Sequence, residues 1–353
     1  MLSALHPPAP PLAPWGAKPL PSTWLCGARN VTAYREFHDV AMRTTNLTTN
    51  CPMLSRGNSS FFLCTPPGAV SIEFMNSGVE RLITRHIVAT VLRAGGWNGQ
   101  PWLIDVGMND GLITMAGAAN GARVIAYDIA PSCFPYVQAS ISLSGLQDNV
   151  VLRNMGVSNS TDWLLVQKGE CSPGGFLGKM HGKERESRAT QPVPIRTLDD
   201  EVMPILRAGD DNISMLKIDA EGAEVLIFEG ARAAIATQRV RSMIVEVAPV
   251  FWPRLHTTLE QGKRTLHNVV AAGMYTVFVF PNNRERLKVG LHTNEQMIES
   301  IGYMRQIVDL DAFIDDRAAT RMGCNMLFVQ RWHVPEQRWQ HTMAPSPSAL
   351  EMY

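Results

Sequence analysis

The seven residues Asp105-Val-Gly-Met-Asn-Asp-Gly111 follow directly on the apolar run Trp102-Leu-Ile104. A strand-length apolar run, an acid at its end, a glycine-rich turn and then the small apolar stretch 112–120 admit few folds. The pattern is that of a buried strand handing over to a helix in a doubly wound α/β sheet. Glycines in such a turn let the backbone approach a ligand closely, and the helix behind it presents unpaired N–H groups. The wording of the turn narrows the ligand. A dinucleotide fingerprint reads Gly-x-Gly-x-x-Gly and rests a pyrophosphate on the helix N-terminus. Here the turn reads Asp-x-Gly-x-Asn-x-Gly, and an acid at its mouth repels phosphate and suits a cationic or amine-bearing ligand.

A second piece stands at the right distance. Ala122-Arg-Val-Ile-Ala-Tyr127 is a short β-rich run ending at Asp128, 21 positions after Gly107. That spacing is close to the ~20 residues expected of the acid that holds ribose hydroxyls. Each half alone is an ordinary turn or a solvated strand end. Together they make strand, turn, helix, strand and acid, which points to a nucleoside ligand. S-adenosylmethionine meets both demands, since it carries an ammonium, a sulfonium and a ribose but no phosphate.

The alternation continues along the chain. Residues 76–93 repeat apolar side chains at helical spacing and stop at Gly95-Gly96. Strands are expected at 102–106, 123–128, 150–153, 213–218, 243–247, 275–280 and 326–329, with helices at 112–120, 132–144, 223–236 and 257–272. Residues 163–167 read as an added hairpin strand, and the last two strands suggest an antiparallel strand at the sheet's end. Strands separated by helices of this length imply a mostly parallel sheet covered on both faces. Residues 1–22 are Pro-rich and expected to be disordered, 23–75 form an irregular appendage, 76–334 the domain, and 335–353 a loose tail. Residues 169–190, rich in glycine and charge, read as a mobile loop.

Thirty-two basic and 32 acidic residues leave no net charge with which to grip nucleic acid or an anionic membrane. No apolar run reaches the ~18 residues of a bilayer span. Six cysteines and nine histidines contain no Cys-x-x-Cys and no His-x-x-x-His, so no resident metal is expected. Cys26, Cys51 and Cys64 share the N-terminal region with Asn-x-Ser/Thr sequons at Asn30, Asn46 and Asn58, and Asn159 and Asn212 add two more. Polar loop composition alone would produce some of these. Taken with the cysteines they suggest a glycoprotein of the secretory lumen in which disulfides are expected. Residues 1–25 contain seven prolines and no apolar core of 7–15 residues. No signal peptide is therefore read there, and the chain is expected to be cytosolic or to lack its natural N-terminus.

The other dense stretch is Met215-Leu-Lys-Ile-Asp-Ala-Glu-Gly-Ala-Glu224. A strand delivers Asp219 at its C-terminal end, Glu221-Gly222 turn the chain, and Glu224 enters the next helix. Acids in a first turn complement the helix dipole, which alone accounts for Glu224. Lys217 is harder to explain, because a lysine inside a buried strand is costly unless paired. In a parallel sheet, strand C-termini face one crevice, so Asp219 and Glu221 should share a rim with Asp105 and Asp128.

With these residues in view, the chain resembles the FkbM family of S-adenosylmethionine-dependent methyltransferases from about residue 102 to 247, and more weakly to about 329. The resemblance rests on the Asp-x-Gly-x-Asn-x-Gly turn, on Val-Ile-Ala-Tyr-Asp128 (where the family more often has Glu) and on Arg196-Thr-Leu-Asp-Asp200. It rests most specifically on Lys217-Ile-Asp-Ala-Glu-Gly-Ala-Glu224, followed by Gly230-Ala231 and a strand ending in Glu246. It implies a Rossmann-like class I methyltransferase fold: a seven-stranded, mostly parallel sheet with one antiparallel strand and helices on both faces. It also implies S-adenosyl-L-methionine as cofactor and a sugar, glycan or small-molecule hydroxyl as acceptor.

In that frame Gly107, Asn109 and Gly111 shape the backbone around the methionine moiety, Asp105 sits near its ammonium, Asp128 holds the ribose, and Asn154 begins the adenine edge. Asp219, Glu221 and Glu246 are the candidates for the base that takes the acceptor's proton, with His181 and His256 behind them. Three acids on one rim could instead hold a divalent ion. Phe251 and Trp252 could stack on a sugar ring or simply pack. Two other readings stay open: an NAD(P)-dependent oxidoreductase or epimerase, against which stand the missing Gly-x-Gly-x-x-Gly and Tyr-x-x-x-Lys, and a non-catalytic lumenal protein that kept the fold.

Overall fold

A computed structural model describes residues 51–57, 59–66, 78–94, 101–167, 171, 190–203, 212–280 and 304–331. The expectations for 1–22, for 335–353, for all of 23–50 and for most of 169–190, His181 included, lie outside these residues.

The core is one eight-stranded sheet. In chain order its strands are β3 (Trp102–Val106), β4 (Arg123–Asp128), β5 (Val150–Asn154), β9 (Ile213–Ile218), β10 (Ser242–Val247), β11 (Tyr275–Val279), β12 (Arg305–Gln306) and β13 (Cys324–Gln330). In space they run β12-β11-β13-β10-β9-β3-β4-β5. The pairs from β10 to β5 are parallel, whereas β13 runs antiparallel to both β10 and β11. This is the expected seven-stranded sheet with one reversed strand, to which two-residue β12 adds an antiparallel edge. The reversed strand lies between β10 and β11 and not at the sheet's end. Met326, Leu327 and Phe328 are fully buried on alternating faces and need neighbours on both sides, while β12 leaves its residues accessible. The apolar pattern alone does not say which strand takes the edge.

Alternation within each strand builds two apolar layers. Ile104, Ile125, Leu216, Val245, Val277 and Phe328 face one side. That layer is covered by α4 (Leu198–Val202), α5 (Glu224–Gly230), α6 (Arg232–Ala236), α7 (Leu259–Gly273) and α8 (Leu310–Thr320). Leu103, Val124, Met215, Ile244, Phe278 and Leu327 face the other, beneath α1 (Gly78–Ala94), α2 (Leu112–Ala119) and α3 (Phe134–Ser144). Helix α2 sits so close to β3 that a Cβ on Gly117 would lie 2.3 Å from a Leu103 methyl, which explains the small residues there. A capping box between Thr258 and Gln261 starts α7. The single helix expected over 223–236 is two, interrupted at Ala231. There Gly230 approaches the carbonyl of Ser158 too closely for any side chain.

The appendage contains order the sequence did not announce. Strands β1 (Met53–Arg56) and β2 (Ser59–Phe62) form a hairpin closed by a Cys51–Cys64 disulfide. Leu54, Phe61 and Leu63 plug it into the second apolar layer, and Ser140 and Ser144 of α3 accept its backbone N–H groups at Cys64 and Phe62. The expected strand at 163–167 belongs to a small separate sheet, in which β8 (Thr190–Thr197) lies between β6 (Gly156–Ser158) and β7 (Asp162–Gln167).

Candidate active site

The chain leaves β3, builds β4 and β5 on one side, and returns to place β9 on β3's other side. At that switch point the C-terminal ends of the strands diverge and leave a crevice. The Asp105–Gly111 turn and the Asp219–Glu224 segment both end there.

The two segments are packed backbone to backbone. Gly107 has φ +78°, and a Cβ built on it would lie 1.8 Å from the carbonyl oxygen of Asp219. The N–H groups of Gly107 and Met108 both reach the Tyr127 carbonyl, and Asp219 donates its N–H to Val106. Asn109 takes a left-handed conformation (φ 51°) that only a few residue types tolerate, and its N–H donates to a carboxylate oxygen of Asp128 at 2.8 Å. The other Asp128 oxygen accepts from Ala130 N–H at 2.7 Å. Burial raises the Asp128 carboxyl above the ordinary range against the pull of these two bonds. Gly111, at φ +84°, caps α2, and a side chain there would strike Val137. Asn154 pairs with Asp128 across β4 and β5 and donates its amide to the Asp128 carbonyl at 2.9 Å.

Asp105 has no exposed surface. One of its oxygens accepts from Thr114 at 2.7 Å and the other lies 3.3 Å from the Lys217 ammonium. Lys217 is its register partner on β9 and only 7% exposed. The same ammonium donates to the Gly107 carbonyl and stands 3.5 Å from Asp219. Lys217 therefore ties the first turn to the second, which is the partner its burial demanded. Asp219 keeps 39% of its side-chain surface exposed. Glu246 stands across the strand ends on β10. Burial first, then the Asp219 charge and the hydrogen bond to it, push the Glu246 carboxyl well above the carboxylate range. Glu221, at φ 47°, is raised by burial and then by Asp219, with Arg254 pulling the other way.

Glu224 is buried. It accepts from Gly222 N–H at 2.6 Å and from the Trp252 indole at 2.9 Å, and burial pushes it up to about 7. It fixes the Glu221–Gly222 turn against the 3-10 helix Pro249–Leu255, so it is more than an acid complementing a helix dipole. Trp252 is 1% exposed and is a packing residue, which removes it as a platform for a sugar ring. Phe251 is partly exposed with the Arg254 guanidinium 4.3 Å above its ring. His256 is exposed at the end of the same turn. Among the described residues no group of three or more His, Cys, Asp and Glu has the arrangement of a metal site.

Thr114 and the cysteines were not legible as site residues. Cys133, just before α3, bonds Cys171 from the segment after β7, and both sulfurs lie within 4 Å of the Asn109 amide oxygen, at 3.9 and 3.8 Å. A separation of 38 residues with no motif around either cysteine carries no pairing signal.

The strand order and the acid-bearing turn at its switch point are those of an S-adenosylmethionine-dependent methyltransferase of the Rossmann-like class I. Residues 105–265 match the family model described as the methyltransferase FkbM domain, so the chain carries such a domain over that span, and the nicotinamide-dependent reading falls away. Among solved structures, an O-methyltransferase from Bacillus cereus in complex with SAH is 13% identical with a TM-score of 0.36, covering 88% of this chain and 94% of that one. A precorrin-6y C5,15-methyltransferase from Geobacter metallireducens is 10% identical with a TM-score of 0.30, covering 75% and 100%. A SAM-dependent methyltransferase from Agrobacterium tumefaciens is 9% identical with a TM-score of 0.35, covering 62% and 58%. No curated protein sequence matches the chain. The fold is defined by the strand order itself.

Proposed function

We propose that the chain transfers a methyl group from S-adenosylmethionine to a hydroxyl oxygen of a sugar, glycan or other small molecule, with Asp219 as the base. The observation that carries this reading is the close approach of Gly107 to the Asp219 backbone carbonyl, which packs the residue bearing a partly exposed carboxylate against the cofactor turn.

The residues suit the cofactor. Asp128 has a second lone pair on each oxygen for the ribose diol, beside those already engaged by Asn109 and Ala130. Gly107, Asn109 and Gly111 hold the turn open for the methionine moiety, and Asn154 stands beside Asp128 for the adenine edge. Asp105 enters through Lys217: its buried carboxylate anchors the ammonium that braces the turn. When bound, the cofactor would supply a methyl on a sulfonium, whose sulfur would leave as a neutral thioether when an acceptor oxygen bonds in line to the methyl carbon. The protein holds the acceptor and receives its proton. Burial and the neighbouring Asp219 raise the Glu246 carboxyl, and Asp219, with part of its side chain open to the crevice, is the acid placed to accept the acceptor's proton. Glu221 and Arg254 line the same rim, where they can orient hydroxyl groups.

Calorimetric titration with S-adenosylhomocysteine, NADH in parallel, followed by methyl transfer to a panel of sugars and oligosaccharides, tests both parts. Asp128→Ala should abolish binding of S-adenosylhomocysteine. Asp219→Asn should keep that binding and lose roughly a hundredfold or more in turnover. Full turnover by Asp219→Asn removes it as the base, and methylation confined to amines removes the hydroxyl acceptor.

A further inference from the structure

Five sequons and six cysteines in a chain of this length are not called for by the chemistry of methyl transfer. The structure sorts them. Cys51 with Cys64 and Cys133 with Cys171 form disulfides, and among the described residues the free cysteine is Cys324, partly buried on β13. Disulfides between sequence-distant cysteines form and persist in oxidising compartments, where asparagine glycosylation also takes place. Asn30, Asn46 and Asn58 lie outside the described residues. Asn212 is half-buried at the start of the central strand β9, and its sequon continues into buried Ile213 and Ser214. Asn159 differs. Asn159, Ser160 and Thr161 are all exposed on the bend between β6 and β7, and the three residues after them are exposed as well. The Asn159 amide nitrogen donates to Glu229 at 2.8 Å, which holds the side chain on the surface of the small sheet.

We propose that Asn159 is an N-glycosylation site and that the protein matures in the secretory lumen with both disulfides closed. The donor is a lipid-linked oligosaccharide diphosphate. The amide nitrogen bonds to the anomeric carbon, the bond from that carbon to the diphosphate oxygen breaks, and one amide proton is lost to the transferase. The amide keeps its second hydrogen, so the bond to Glu229 survives modification. The glycan then leaves from the exposed bend between β6 and β7. This inference does not depend on the acceptor or on turnover.

The test is peptide mass spectrometry on the full chain purified from the cells that make it, with enzymatic release of N-glycans in heavy-oxygen water and a non-reducing digest. The expected result is release-dependent label at Asn159, none at Asn212, and linked peptides for Cys51–Cys64 and Cys133–Cys171. Thr161→Ala, which spares the asparagine and its bond to Glu229, should remove the label and the corresponding gel shift. Unlabelled Asn159, label on Asn212 instead, or free thiols at all four cysteines would each overturn the proposal. Since S-adenosylhomocysteine binding is read separately, a failure here leaves the methyltransferase reading untouched, and the reverse holds too.

Discussion

Lys217 is the side chain on which the site's geometry turns. An ammonium at 7% exposure would be costly alone, and here it is shared between Asp105, Asp219 and the Gly107 carbonyl. Lys217→Met leaves two acids facing each other without a counter-charge and should cost about 3–5 kcal/mol of stability, read as a lower urea midpoint. Asp105→Leu in the same chain should restore much of that loss while S-adenosylhomocysteine binding stays weak. If the double variant is no more stable than Lys217→Met, the pair is not what holds the two turns together. At this scale the sequence was legible where chemistry forces a residue type. Gly107, Gly111 and Asp128 could be read from the turn and its spacing, and the need to pair Lys217 followed from burial alone. Roles that depend on which way a side chain faces were not legible. Asp105 shares the inward face of β3 with Leu103, which puts it beneath the crevice, and Trp252 turns inward to Glu224.

The same limit separates the elements. β6, β8 and the break at Ala231 escaped the sequence reading, but the other strands and α-helices from 102 to 279 were readable from their period, because each buries a regular face. The hairpin β1–β2 was not, being four residues a side and held by a disulfide and two serines of α3. Nor was the link between α3 and the segment beyond β7. Cys133–Cys171 closes a longer loop than Cys51–Cys64, with separations of 38 and 13 residues. Loop-closure entropy then assigns about 4 and about 3 kcal/mol to them. The two bridges should differ more sharply in function. Replacing Cys133 and Cys171 by serine removes the sulfurs packed on Asn109, whose N–H holds Asp128, and should weaken S-adenosylhomocysteine binding about tenfold by calorimetry at a temperature where the variant stays folded. The Cys51/Cys64 double serine variant should lose stability and keep its affinity. Equal affinities in both variants would separate the bridge from the site.

Across the whole molecule, the buried acids make stability depend on pH in the unusual direction. Glu224 titrates near 7 in the fold against an ordinary value of 4.5, so its contribution is fully present below that ordinary value and is lost as pH rises towards 7. Glu246, raised further by burial and Asp219, extends the loss beyond neutrality. The thermal midpoint of the ligand-free protein should fall between about pH 5 and about pH 8, and Glu246→Gln should flatten that fall. A midpoint that rises over this range, equally in both proteins, would show that these acids do not control it.

The placement of β13 bears on how the chain comes into being. β10 emerges from the ribosome with one flank open, and its proper neighbour is encoded more than seventy residues later. At ordinary rates of translation that interval is on the order of ten seconds. Throughout it the apolar edge of β10 waits open at the margin of the nascent sheet, with the entire cofactor turn already synthesised. A ribosome stalled before residue 324 would leave β11 without the strand that joins it to the five parallel strands from β10 to β5.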